Sequence, residues 1–229
     1  MIISVAKSDY FMKRARQLCL SRVRKKTDSV SGNYFSYSFL DVYIMSATAL
    51  EAFINERISI NITISRQRIA MNLQDSRDEK QIYTDENQKK VLEMLKEQDI
   101  ITKYRMMPIL LGQKAFDEGR SPFQDFVTLV GIRNDIIHYN MPFYDEQDKR
   151  PKWVKRLEEK GIFLPEPVVH PPEPLPYEGH RVWVDEICTL KGAKWAYNTS
   201  CRMIKKFVEL SEGITEATCH PWSDSLTEI

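Results

Sequence analysis

Between Phe123 and Tyr139, apolar residues stand at Phe123, Phe126, Val127, Leu129, Val130, Ile132, Ile136 and Ile137. That recurrence fits the 3.6-residue helical period better than the strict alternation of a strand, so the segment is predicted to be a helix. At about 100° per residue, Arg133 lies about 20° around the helix from Phe126 and about 40° from Ile137. The stripe that has to be buried thus carries a guanidinium near its middle. An unpaired charge in such a place is costly, so the fold must bring it a partner, a water-filled cleft or a subunit boundary. Asn134 and His138, spaced i and i+4, stack on the flank of the same stripe.

Other segments share this helical period. Ser8 to Lys26 places Tyr10, Phe11, Ala15, Leu18, Cys19 and Val23 among seven Lys and Arg residues, which suits an amphipathic first helix with a basic polar face. That face reads either as a solvated surface or as a track for an RNA backbone. Ser31-Gly32-Asn33 marks a turn before a long second helix. The isoleucines at 58, 60, 62 and 64 suit an extended segment or a continuing helix equally. Asn72 to Asn87 reads as a polar loop and Gln88 to Gln98 as a short charged helix. Ile100 to Leu111 supplies further apolar surface interrupted by Pro108.

Eight of the eleven prolines fall between Met141 and Glu186, densest from Pro165 to Pro176, where polyproline-like extension is expected. Trp153, Phe163 and Trp183 lie in this region and are large enough to favour packing over solvent. The region reads either as a long surface loop or as an ordered arm across the bundle or a second subunit. A last helix over Lys191 to Ser211 ends near Gly213, and the final dozen residues read as a frayed tail. The expected fold is therefore all-α: an up-and-down helical bundle forming one domain over residues 1–229. Its core helices are expected at about 8–26, 35–58, 123–139 and 191–211, with insertions at about 59–120 and 141–186, the second a long Pro-rich insertion before the last helix.

Composition narrows the functional classes. The 229 residues carry a net charge of +1, without the basic excess of a nonspecific nucleic-acid coat. The four cysteines form no C-x-x-C pair, and a chain of this size without staples points to a reducing, cytoplasmic setting. No apolar run of about 20 residues is present, so no membrane partner is expected. Neither glycine-rich phosphate loop nor a G-x-S-x-G elbow occurs. His170, His180 and His220 lack metal-ligand spacing, so neither a metal nor another cofactor is expected.

Arg133-Asn134-Asp135-Ile136-Ile137-His138 resembles the motif of the HEPN superfamily, helical bundles whose nuclease members carry an Arg, commonly followed by a polar residue, and a His four to six residues later. The run Tyr37 to Asn55, with Ser46-Ala-Thr-Ala-Leu-Glu-Ala-Phe53, also looks like the second helix of such proteins. The likeness covers roughly Phe35 to Tyr139, with a weaker echo at Lys194 to Leu210. It implies a homodimer in which two motifs line one cleft and cut RNA without a metal, as in toxins and antiphage effectors, some held by an antitoxin or regulatory protein. His138 would move protons, Arg133 would stabilise charge on phosphorus, and Asn134 would orient His138 or the phosphate. Glu51, on the shoulder of the second helix, reads either as a partner of Arg133 or as a surface carboxylate, and Asp135 and Tyr139 complete the supporting set. Tyr139 follows His138 directly, a departure from the toxin branch whose Tyr stands two residues after the His.

The chemistry agrees with the residue types. His carries protons near neutral pH, and Arg presents a rigid fork to phosphate oxygens. A noncatalytic alternative stands beside it: an RNA-binding or protein-interaction scaffold in which Arg133 makes a structural ion pair and His138 caps or packs the helix end.

Overall fold

The computed structural model describes residues 7–25, 38–74, 79–138, 152–162, 187–210 and 226–229. Among these residues there are seven helices and no strand: α1 (Lys7–Lys25), α2 (Ser38–Gln74), α3 (Glu79–Lys96), α4 (Ile100–Leu110), α5 (Phe123–His138), α6 (Lys152–Glu159) and α7 (Leu190–Leu210). The all-α expectation holds. The turn at Ser31-Gly32-Asn33, Phe163, the run Pro165 to Pro176, Trp183 and Gly213 lie outside the described residues.

α2 is the axis of the molecule. Its 37 residues span about 55 Å at 1.5 Å per residue. α1 runs antiparallel to it: Ser8 N and Oγ donate to Glu56 Oε1 and Oε2 at 3.2 and 2.5 Å, capping the first turn of α1 across the helix pair. α7 runs parallel, with Trp195 beside Tyr43, Ser200 Oγ donating to Ser46 O at 3.1 Å, and Phe207 edge-on to Phe53 at 5.4 Å.

Helix α2 does not stop near residue 58. Ile58 and Ile62 are both buried and Ser65 follows on the same side, a helical spacing that resolves the isoleucine run in favour of a helix packed on α3. The segment expected to be a loop over Asn72 to Asn87 is a correction of the same kind, since α3 starts at Glu79 and buries Asp85. Pro108 does not interrupt α4. It sits in the last turn, where the carbonyls of Met107 and Pro108 receive Leu111 N, both at 3.1 Å. Asp99 caps the other end, accepting from Ile101 N and Thr102 N. The last four residues are also docked rather than frayed: Asn198 exchanges two hydrogen bonds with the backbone of Ile229, and Leu226 is buried.

The core is aromatic at its centre. Tyr104 of α4 is fully buried, with Phe126, Phe207 and Phe116 at ring separations of 4.8, 5.9 and 6.3 Å. Its hydroxyl donates to Leu50 O of α2 at 3.0 Å, and burial pushes the phenol well above its ordinary pKa. α2, α4, α5 and α7 thus meet in one cluster. At the other end, Tyr43 Oη donates to Ile187 O at 3.1 Å in a site that Gly192 leaves open. A Cβ at Gly192 would collide with Tyr43 Oη and stand 2.6 Å from Ile187 O.

No helix among the described residues is long and apolar enough to cross a membrane. Gly192→Ala is expected to destabilise the fold by about 1–3 kcal/mol, the usual range for overpacking, read as a lower urea midpoint with an unchanged m-value.

Candidate functional site

α5 carries the Arg/His motif and is held on two sides. Phe126, Leu129, Val130 and Ile132 face the core and are buried. A second face receives α6, which runs antiparallel along α5 through three polar contacts. Trp153 Nε1 donates to Asp135 Oδ2 at 2.8 Å, Arg156 to Thr128 Oγ1 at 3.3 Å, and Lys160 pairs with Asp125 Oδ1 at 2.8 Å. Asp125 is almost fully buried, and its second oxygen accepts Ser121 Oγ at 2.8 Å, so that carboxylate is fully employed in fixing the helix. Val154, Leu157 and Ile162 pack beneath the strap. Gly161 closes it with a positive φ of 60°, which lets Ile162 N reach back to Leu157 O. Trp153, at the edge of the Pro-rich region, therefore packs, and so does Trp195.

Arg133 sits at the margin of the core. Its side chain keeps 28% of its surface exposed, and one terminal nitrogen donates to Glu51 Oε2 of α2 at 3.1 Å. The other donates to Asn134 Oδ1 at 3.0 Å. Nε is buried and makes no hydrogen bond among the described residues. The charge in the apolar stripe is thus met by Glu51, one of the two roles the sequence allows that residue. Glu51 is itself 40% exposed, so water reaches both partners and the contact is worth only ~0.2–1 kcal/mol. A guanidinium held this way is oriented without being consumed.

His138 is the last residue of α5 and is exposed. It stands five positions after Arg133, a turn of about 140° and a rise of about 7.5 Å on a regular helix. Within one chain the two side chains therefore leave α5 on different sides. Asn134 stands between them, one turn before His138 and bonded to Arg133. Asp135 is drawn the other way, to Trp153, and acts in the packing of α6. Tyr139 lies outside the described residues.

Two further polar residues belong to this surface. Asn55 is one turn after Glu51 on the same face of α2, and its Oδ1 accepts Lys103 Nζ of α4 at 2.9 Å. The i+4 relation of Asn55 to Glu51 is visible in the sequence; the arrival of Lys103 is not, because Ile100 to Leu111 reads simply as apolar surface.

Two of the buried cysteine thiols, Cys19 and Cys201, are held in the protonated form. Burial pushes Cys19 up to about 12, against the nearby positive charge of Lys194. Burial likewise pushes Cys201 up to about 11, opposed by its hydrogen bond with Tyr197. Both stay protonated at neutral pH, whereas the thiolate is the nucleophile.

Comparison of the chain with known protein families, with curated proteins and with solved structures finds no match in any of the three.

A double-mutant cycle on Glu51→Ala and Arg133→Ala is expected to give a coupling of at most about 1 kcal/mol in urea unfolding, as for other partly exposed ion pairs. A coupling of several kcal/mol would make the pair structural. Cys19 and Cys201 are expected to resist a disulfide reagent at pH 8 in the native protein and to react on unfolding, since that pH lies well below both raised values.

Proposed function

We propose that this chain is a metal-independent endoribonuclease of the HEPN type, acting as a homodimer whose two α5 helices line one cleft. The observation that carries the reading is the state of Arg133. It is oriented by Glu51 and Asn134, remains partly exposed, and shares its helix with an exposed His138. Because Arg133 and His138 diverge around α5, the pair that acts on one phosphate comes from two copies, Arg133 of one and His138 of the other.

The reaction follows from those groups. His138 as base removes the proton of a ribose 2′-hydroxyl, whose oxygen attacks the adjacent phosphorus. Arg133 donates to the equatorial phosphate oxygens as negative charge builds. The P–O5′ bond breaks, and the second protomer's histidine, protonated, hands a proton to the leaving oxygen. The products are a 2′,3′-cyclic phosphate and a free 5′-hydroxyl, with no net change in protons. A role as a cytoplasmic toxin or antiphage effector, restrained by an antitoxin or another regulatory protein, goes with the family resemblance.

One observation favours a second reading. Arg133 is paired with the Glu51 carboxylate, as in a noncatalytic RNA-binding or protein-interaction scaffold.

Labelled total RNA incubated with the protein in excess EDTA separates the two. The nuclease reading expects cyclic-phosphate ends that fall by about 10²–10⁴-fold in His138→Ala, the usual contribution of a positioned proton carrier, while the variant keeps its melting temperature. Cleavage unchanged in His138→Ala would remove this site from the reaction.

A further inference from the structure

Lys103 is a buried cation with a neutral partner. Only 6% of the residue is exposed, yet its ammonium rests on a neutral amide oxygen, that of Asn55. No carboxylate pairs with it among the described residues. Asp99, one turn earlier on α4, has its oxygens committed to Ile101 N, Thr102 N and Thr102 Oγ1. A buried ammonium with a neutral acceptor has given up hydration for little return, and a fold that retains one invites an anion.

The position of Lys103 says which anion. Asn55 and Glu51 share a face of α2 and stand about 6 Å apart along its axis. Each holds a cation, Lys103 and Arg133. Thr48, Glu51 and Asn55 are half-buried and Ser59 is exposed, so this stripe of α2 keeps some surface in contact with solvent along its length. Farther along, the groove between α2 and α3 contains Arg66 and Lys96 but also Glu93 and Glu97, and Arg66 is already paired with Glu93 at 3.1 Å. Lys103, by contrast, rests on an amide oxygen.

We propose that Lys103 is a second phosphate-binding residue: a single strand of RNA laid along the Glu51–Asn55 stripe sets one backbone phosphate on Arg133 and a neighbouring phosphate on Lys103. Binding exchanges the neutral amide acceptor of Lys103 for an anionic phosphate oxygen, adding a Coulombic attraction that the amide does not supply. Lys103 positions the strand and takes no part in proton transfer. The inference rests on the RNA-directed reading of Arg133 and extends it to a residue outside the motif.

The test is equilibrium binding of a short 2′-O-methyl RNA, which lacks the attacking hydroxyl, to the full chain over a salt series. Lys103→Met is expected to bind more weakly and to lower the salt slope by about 0.7, one phosphate contact on a single strand, while Lys103→Arg keeps affinity and slope. The melting temperature of Lys103→Met should hold or rise, because a buried charge has been replaced by an apolar chain of similar size. Should the methionine variant melt early, Lys103→Gln keeps a donor for Asn55 and is read in the same way. Wild-type affinity and slope in Lys103→Met, with weaker binding in Arg133→Ala, would overturn the role of Lys103 and leave the RNA reading standing. Failure of the wild-type chain to bind the oligonucleotide would overturn both.

Discussion

A helix of 37 residues at the centre of a small bundle has more sides than its neighbours can cover, and that constraint organises the rest of the molecule. α1, α7 and α3 take the apolar faces of α2 in turn, and the Tyr104 cluster brings α4 and α5 against its middle. What is left is a stripe too polar for the core and too enclosed to be ordinary surface. Glu51 and Asn55 occupy it, and each draws in a cation from a different helix. The candidate site is thus a consequence of how the longest helix is packed.

Electrostatics decides what such a stripe can do. A fully buried Arg–Glu pair would be a fixed structural element, costly to open. Here the partial exposure of both partners keeps the contact weak enough for a phosphate to compete with Glu51 for the guanidinium. The strength is placed elsewhere: α5 is fixed by Asp125, Asp135 and the buried apolar residues of α6, on the side away from Arg133. Rigidity on one face and a weak, oriented cation on another is what a site needs if the helix is to stay still while its ligand comes and goes.

The sequence was legible where local period and packing agree. The α5 helix and the polar flank at Asn134 and His138 follow from residue spacing, whereas spacing leaves Glu51 as either a partner of Arg133 or a surface carboxylate. The continuation of α2 past Ile58 was not legible, because isoleucines at every second position satisfy a strand as well as a helix until α3 supplies the covering surface. The docked segment at Leu226 to Ile229 was hidden for a similar reason, since its contacts to Asn198 and Tyr197 are about thirty residues away in sequence. Lys103 escaped notice because nothing local distinguishes a lysine that reaches a neighbouring helix from one that points to water. Asp135 read as part of the motif, but a tryptophan beyond the motif claims it.

The central claim is that Arg133 and His138, turned to different sides of α5 in one chain, act together only across two copies. Mixing separately purified Arg133→Ala and His138→Ala proteins, after confirming that they exchange subunits, tests it most directly. The account predicts that each variant alone leaves RNA intact in EDTA and that the mixture regains part of the cleavage with 2′,3′-cyclic phosphate ends, because a mixed dimer carries one Arg133/His138 pair across its two copies and lacks only the second histidine. A mixture that forms mixed dimers and stays as inactive as its components would contradict it.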